Sequence, residues 1–151
     1  GADIMLVASD GQALRAPVES ISVQGRGAGG VAGMKLKAGA RIVGAGPLIG
    51  DGSVVVITSE SGAKATSFEE FEAKGRGGQG VRIARLAGSE SLVAAWFGDP
   101  TRSGLLVQMV DDHDPRKLDH NPVPFMLQQS KRDLVPVRTE RQVMVLAPSR
   151  W

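Results

Sequence analysis

Short apolar runs, each closed by a turn signal, recur along the first hundred residues. The runs Asp3–Ala8 and Ser53–Thr58 are apolar and rich in β-branched residues, and the turn-forming stretches Ser9–Gly11 and Ser59–Gly62 follow them. Such runs are typical of short strands, because β-branched side chains fit a pleated surface and Gly, Asp and Ser favour turns. The spacing of apolar positions therefore predicts strands separated by tight turns.

Two further segments alternate apolar and basic residues. Met34–Lys37 and Val81–Ile83 both alternate in this way, which in a strand would place the apolar side chains inside and the basic ones outside. Only Phe68–Ala73 has apolar spacing that fits a helical turn. The pattern as a whole predicts an all-β fold.

The chain also repeats itself with an offset of 50 residues. The segment Gln24–Val31 (QGRGAGGV) aligns with Lys74–Val81 (KGRGGQGV), and we call these segments the first and second box. The register continues outside the boxes, where it pairs Ile4–Val7 with Val54–Ile57, Ser9 with Ser59, Glu19 with Glu69, Ile21 with Phe71, Leu36 with Leu86, and Val43 with Val93. Repeats of this length indicate propeller blades or related arrays.

The repeat predicts three units. Residues 3–50 and 51–98 form one blade each, and residues 99–151 form a divergent terminal unit, or cap, without a Gly-Arg-Gly box. Strand-like runs continue in this last unit at Leu105–Val110, Val123–Leu127, Leu134–Val137 and Val143–Leu146. Terminal units of repeat proteins are often atypical because one of their faces meets solvent.

Composition narrows the function only when charge is considered locally. The chain has 18 basic and 16 acidic residues, a net charge of +2. Between residues 24 and 41, and again between 74 and 85, four basic residues occur with no acidic one. Clusters of one sign set the potential that a polyanion meets. The absence of cysteine and of long apolar runs leads us to expect a cytoplasmic protein without disulfides or membrane spans.

The boxes carry the candidate chemistry. Glycines leave backbone N–H groups uncovered, so that a phosphate can approach the main chain and the arginine between them can project freely. A tight connection between strands would explain the same glycines without any ligand. A disordered Arg-Gly-rich RNA-binding segment is a further alternative, but such segments stand in low-complexity tracts.

The arrangement resembles a known family. The box, the segment Val31–Gly39 (VAGMKLKAG), Ile42–Gly44 and the preceding strand and turn are together similar to the C-terminal domain of DNA gyrase and topoisomerase IV A subunits. The resemblance implies a β-pinwheel, whose blades exchange strands and whose basic rim binds and wraps duplex DNA. The family's box reads Gln-Arg-Arg-Gly-Gly-Lys-Gly. This chain has Gly at the second position of both boxes and Gly29 or Gln79 in place of the lysine.

The resemblance also assigns roles and partners. It implies duplex DNA, a topoisomerase catalytic core and a B subunit in a heterotetramer as partners, location at the nucleoid, and ATP and Mg²⁺ as cofactors of the parent enzyme only. Whether the parent is gyrase or topoisomerase IV stays open, as does whether the chain is a portion of a larger pinwheel or a reduced version. The expected DNA-binding residues are Arg26, Lys35, Lys37, Arg41, Lys74, Arg76, Arg82 and Arg85, with Arg15 and Lys64 as outlying candidates.

The chain by itself is expected to be non-catalytic. It has no tyrosine to attack a DNA phosphate and no phosphate-binding loop for ATP, so no catalytic residue and no metal ligand is predicted. Two alternatives remain. One is a protein-interaction module whose boxes are purely structural, which the small net charge favours. The other is a metal-dependent hydrolase that would use the acidic stretch Asp111–His120, although an exposed turn explains that stretch as well.

Overall fold

The computed structural model describes residues 2–100 and 104–148, and strands dominate it. The strands are β1 (Asp3–Ala8), β2 (Gln12–Pro17), β3 (Ile42–Leu48), β4 (Ser53–Thr58), β5 (Gly62–Ser67), β6 (Val81–Arg82), β7 (Leu92–Gly98), β8 (Leu106–Met109), β9 (Val123–Pro124), β10 (Val137–Arg138) and β11 (Val143–Ala147). Two short 3-10 helices, Val18–Ser20 and Phe68–Glu70, follow β2 and β5. The prediction of an all-β fold is confirmed.

The two units of the repeat form equivalent hairpins. Strand β1 pairs with β2 on one side and β3 on the other, and β4 pairs in the same way with β5 and β7. The register shifts between Val7 and Ala8 in the first sheet and between Ile57 and Thr58 in the second. These positions are 50 residues apart, so the repeat found in the sequence extends to the irregularities of the sheets.

Each of these sheets receives its fourth strand from the next unit. Strand β6, from the second unit, pairs with β2 of the first, and β10, from the last third of the chain, pairs with β5 of the second. The exchanged pairs are equivalent, because Val81 lies opposite Ala13 and Val137 lies opposite Ala63. Units defined along the sequence therefore interlock in space.

The last third of the chain builds a third sheet. Its strand order is β11-β8-β9, and its register shifts between Val143 and Val145, as in the other two sheets. The predicted strands at Leu105–Val110 and Val143–Leu146 agree with β8 and β11 to within one residue at each end. The predicted strand at Met34–Lys37 is wrong: this segment has no sheet partner among the described residues, and Leu36 is exposed.

Apolar side chains fill the spaces between successive sheets. Met5 and Val7 of the first sheet pack with Val54, Val56 and the neighbouring side chains of the second unit. The sheets also approach closely, since a Cβ at Gly44 would lie 2.7 Å from the Ala95 Cβ. Ile57 and Ala63, on the other side of the second sheet, pack against the third sheet. The three sheets therefore form a stacked array.

Candidate nucleic-acid interface

All eight predicted DNA-binding side chains are exposed. Among the described residues no ion pair or side-chain hydrogen bond involves Arg26, Lys35, Lys37 or Arg41, so these cations are available to a ligand. The other four have protein contacts. Lys74 lies 4.0 Å from Glu72, and Arg82 and Arg85 lie 3.2 and 3.5 Å from the two carboxylate oxygens of Asp133.

The second box lies against the first unit. The Gly77 N–H donates to the Gly33 carbonyl at 2.6 Å, and the Lys35 N–H donates to the Gly78 carbonyl at 2.7 Å. These bonds bring Lys35 of the first unit next to Arg76 in the second box. The segment that sequence analysis predicted as a strand therefore serves as a support for the following box.

Arg76 contributes to this junction while staying exposed. Its Nε donates to the Ser20 carbonyl at 3.0 Å, and its Nη1 donates to the Ala32 carbonyl at 3.1 Å. The glycine-framed arginine is thus a structural clip between units as well as a surface cation. Arginine suits both roles, because its planar fork carries five donors and two carbonyls leave some of them unused.

A third box exists that sequence reasoning missed. Ser130–Val137 (SKRDLVPV) occupies the place of the second box, with an offset of 56 residues instead of 50. The Ser130 N–H donates to Ala65 as the Lys74 N–H donates to Arg15. The Arg132 Nη1 donates to the Arg82 carbonyl at 2.8 Å, which repeats the bond from Arg76 to Ala32. Gly is lost and the spacing is longer, so only the retained arginine could have revealed this box.

The two junctions carry different charge. At the first, Lys35 stands beside Arg76, and no acid within the described part of the chain is bonded to either side chain. At the second, the Arg85 N–H donates to the Leu134 carbonyl at 3.0 Å, so that Arg85 stands beside the third box, but Asp133 neutralises part of the charge. The first junction therefore presents the stronger positive potential per exposed cation.

The outlying candidates have structural positions. Arg15 Nε lies 2.7 Å from Asp3, and its Nη1 donates to the carbonyls of Phe68 and Phe71, which ties the first blade to the second unit. Lys64 is 2 % exposed, and its Nζ donates to Thr66 Oγ1 at 2.6 Å. No DNA phosphate can reach Lys64 in this fold, so the prediction for this residue is wrong.

Burial lowers the pKa of Lys64 to about 8, although nearby Glu70 and Asp133 oppose the shift. Replacing Lys64 with Met should therefore raise the free energy of unfolding by about 1 kcal/mol at pH 7, because a buried cation is exchanged for an apolar side chain of similar length. The wild-type protein should gain stability as pH rises from about 8 towards 10.5, where the unfolded chain binds the proton more tightly. Urea unfolding at several pH values checks both; a pH-independent difference between the two proteins would contradict the assignment.

The acidic stretch Asp111–His120 is a bonded turn. The N–H groups of His113 and Asp114 donate to Asp111 Oδ1 at 2.8 and 2.9 Å, and these bonds lower the pKa of Asp111. Arg141 Nη1 donates to Asp119 Oδ2 at 3.1 Å. Within residues 2–100 and 104–148 no group of three or more His, Cys, Asp or Glu side chains is placed to hold a metal ion. The same residues include no helix with the length and apolar character of a membrane span.

Comparisons with known proteins agree on one family. Residues 2–48 and 52–95 match the family model described as the DNA gyrase C-terminal domain, a β-propeller. The DNA gyrase A subunit of Mycobacterium leprae (strain TN) is 40% identical over 81 residues, which cover 52% of this chain and 6% of that protein. The chain therefore spans only a small part of the curated relatives that it matches.

Solved structures share the fold across the whole array. The C-terminal domain of a DNA topoisomerase IV superposes with a TM-score of 0.81 at 22% identity, covering 98% of this chain and 47% of that one. The E. coli ParC C-terminal domain superposes with a TM-score of 0.75 at 11% identity, covering 97% and 60%. Both superpositions include the last third of the chain, where the family model has no match.

Proposed function

The chain belongs to the DNA gyrase C-terminal domain family, and from this premise we propose that it binds and bends duplex DNA without sequence preference. It would act as part of the A subunit of a type II topoisomerase and present a DNA segment to a cleavage core. The cleavage tyrosine, the ATP site and Mg²⁺ would belong to the core and the B subunit. The proposed partners and the location at the nucleoid follow from the same premise.

The observation that carries the proposal is the repeated junction between a box and the preceding unit. At each junction a box arginine, Arg76 or Arg132, lies next to a cation of the preceding unit, Lys35 or Arg85. Each pair is exposed and is held by backbone bonds, so little side-chain order is lost when a phosphate binds. Two such junctions in succession suit a phosphate backbone, which repeats its charge along the duplex.

Binding of this kind relies on phosphate contacts. Lysine and arginine that meet phosphates release condensed counterions, which gives affinity without base readout and makes the affinity fall with salt. Junctions on successive sheets of a stacked array would favour DNA that curves to meet both, and flexible sequences would bend at lower cost. We therefore expect a preference for bendable DNA and no preference for a particular site.

The proposal is tested by reversing charge at the first junction without disturbing the fold. Lys35→Glu combined with Lys37→Glu changes two exposed lysines that have no side-chain partner among the described residues. We expect duplex affinity at low salt to fall at least about tenfold, equally on unrelated sequences, and the salt slope to decrease by roughly 0.9 for each lost phosphate contact. Fluorescence anisotropy with two unrelated duplexes over a range of salt concentrations measures both.

The matched control is Arg116→Glu combined with Lys117→Glu, which makes the same change of net charge on the acidic turn, where both side chains are exposed. This variant should bind DNA nearly as the wild type does. Equal losses in both variants would mean that only total charge matters. No loss in the first variant would favour the protein-interaction alternative.

A further inference from the structure

The two ends of the array expose apolar side chains that its middle buries. Within the described residues, seven large apolar residues between positions 18 and 49 are exposed, against only Val93 between 53 and 98 and eight between 118 and 145. Terminal units of stacked repeats normally present polar outer faces. Exposed apolar ends of this kind mark interaction surfaces.

The repeat shows what covers the first of these ends. We define the leading face of a unit by Val18, Ile21 and Ile42, which are 41, 38 and 40% exposed. Their counterparts 50 residues later, Phe68, Phe71 and Leu92, are at most 3% exposed. The difference arises because Met5 and Val7 of the preceding sheet pack on the counterparts, whereas nothing described packs on the leading face of the first unit.

The third sheet presents the complementary surface. Register places Leu106 and Val145 where the first sheet has Met5 and Gly44, the positions that face the next unit. Val145 is 42% exposed. Within the described residues, strand β9 is also an open edge, whereas β2 and β5, its counterparts in the other sheets, are covered by β6 and β10.

The strand-exchange segment and the box of the first unit also lack an acceptor in the described part of the chain. Val31, the counterpart of Val81 in β6, is exposed and outside any sheet. Arg26 has no carbonyl partner among the described residues, whereas Arg76 and Arg132 donate to the carbonyls of residues 32 and 82 in the preceding unit. The equivalent carbonyl for Arg26 would be that of Arg138, because Arg138 and Arg82 occupy equivalent places in β10 and β6.

We propose that a second copy of this chain docks head to tail, with the leading face of one copy on the third sheet of the other. The first unit then lends residues 31 and 32 to the open edge at β9, and Arg26 donates to the Arg138 carbonyl of the second copy. Two such contacts related by a rotation close a ring and leave neither end uncovered. Size agrees with this arrangement, since the chain covers 47% of the topoisomerase IV domain whose fold it shares. The proposal does not depend on DNA binding.

Sedimentation equilibrium of the 151-residue chain should show reversible association to two copies. Ile42→Asp places a charge on the leading face and should weaken the association at least about tenfold, because an apolar contact is lost and a carboxylate is desolvated. Val23→Asp is the control: Val23 is 99% exposed, and its counterpart Ala73 is still exposed where the equivalent interface is formed. A single-copy mass at all concentrations would overturn the proposal.

Disulfide trapping tests the head-to-tail orientation. The chain has no cysteine, so Ala45→Cys and Val145→Cys each introduce a single thiol. These positions correspond to Ala95 and Gly44, which touch across the junction of the first two sheets. On mixing and oxidation, the disulfide between the two different variants should form in preference to either symmetric one. Predominant pairing of Ala45→Cys with itself would mean that two leading faces meet, and would contradict the proposal.

Discussion

Replacing Gly80 with alanine is expected to lower the free energy of unfolding by at least about 3 kcal/mol, or to release β6 from the first sheet altogether. Gly80 has a φ of +80°, and a Cβ there would lie 2.6 Å from the Ala13 carbonyl carbon. The backbone of β2 cannot move away without breaking its pairing with β1. The clash therefore falls on the exchanged strand, and urea unfolding together with hydrogen exchange at Arg82 and Ile83 measures it.

Gly30 is the matched control, because it differs from Gly80 only in its surroundings. It has a φ of +82°, and a Cβ there would meet nothing within 4 Å. Gly30→Ala should therefore cost only the conformational penalty of a left-handed residue, about 1 kcal/mol. Both variants should be compared at low protein concentration, where copies of the chain are separate. Equal losses in the two would show that the box glycines serve the turn alone and do not admit the neighbouring strand.

This pair of residues also shows where the sequence was informative. The boxes align without a gap, and the repeat correctly predicted two equivalent strand arrangements, because strand-forming runs and turn residues are local signals. Nothing local distinguishes Gly30 from Gly80. Their difference depends on whether another unit lies alongside, which is a property of the array. The same reason explains why Val81 and Arg82 form a strand and the equivalent residues 31 and 32 do not.

The interface was harder to predict than the fold. Basic residues near the boxes are exposed as expected, but sequence reasoning did not foresee that Arg76 bonds to the preceding unit, since a contact 44 residues away in the chain has no local signature. Lys64 could have been recognised as buried, because it aligns with Leu14 in the repeat, and both are 2% exposed. Arg132 was missed because the last unit inserts six residues relative to the 50-residue period.

The attachment of the third unit to the second depends on a buried carboxylate. The side chain of Glu90 is fully buried, and its Oε2 lies 2.5 Å from Arg138 Nη1 of β10 and 2.6 Å from Thr58 Oγ1 of β4. The bond from Arg138, helped by those from Thr58 and the Ala87 N–H, lowers the pKa of Glu90 to about 2, even though burial alone would raise it. One carboxylate thus joins the central strand of the second sheet to the strand that the third unit lends.

Arg138→Met should therefore lower the free energy of unfolding of the second and third units by about 2 kcal/mol at pH 7, because it leaves Glu90 charged and buried without its cation. Solvent around the half-exposed Arg138 limits the loss. Urea unfolding, with hydrogen exchange at residues 137 and 139 to locate the change, measures the effect. The control is Arg116→Met, since the Arg116 pair with Asp114 is on an exposed arginine and should contribute less than about 0.5 kcal/mol.

The same carboxylate gives the protein an acid-sensitive junction. A folded-state pKa below the ordinary value means that the unfolded chain binds the proton more tightly, so the stabilisation is complete above about pH 4.5 and is lost as pH falls towards 2. In the wild type β10 should detach before β6, whose Arg82 is paired only with the exposed Asp133 among the described residues. In Arg138→Met this acid transition should be much weaker, because the bond that lowers the pKa is gone. An unchanged acid transition in Arg138→Met would show that other carboxylates set the acid stability of the array.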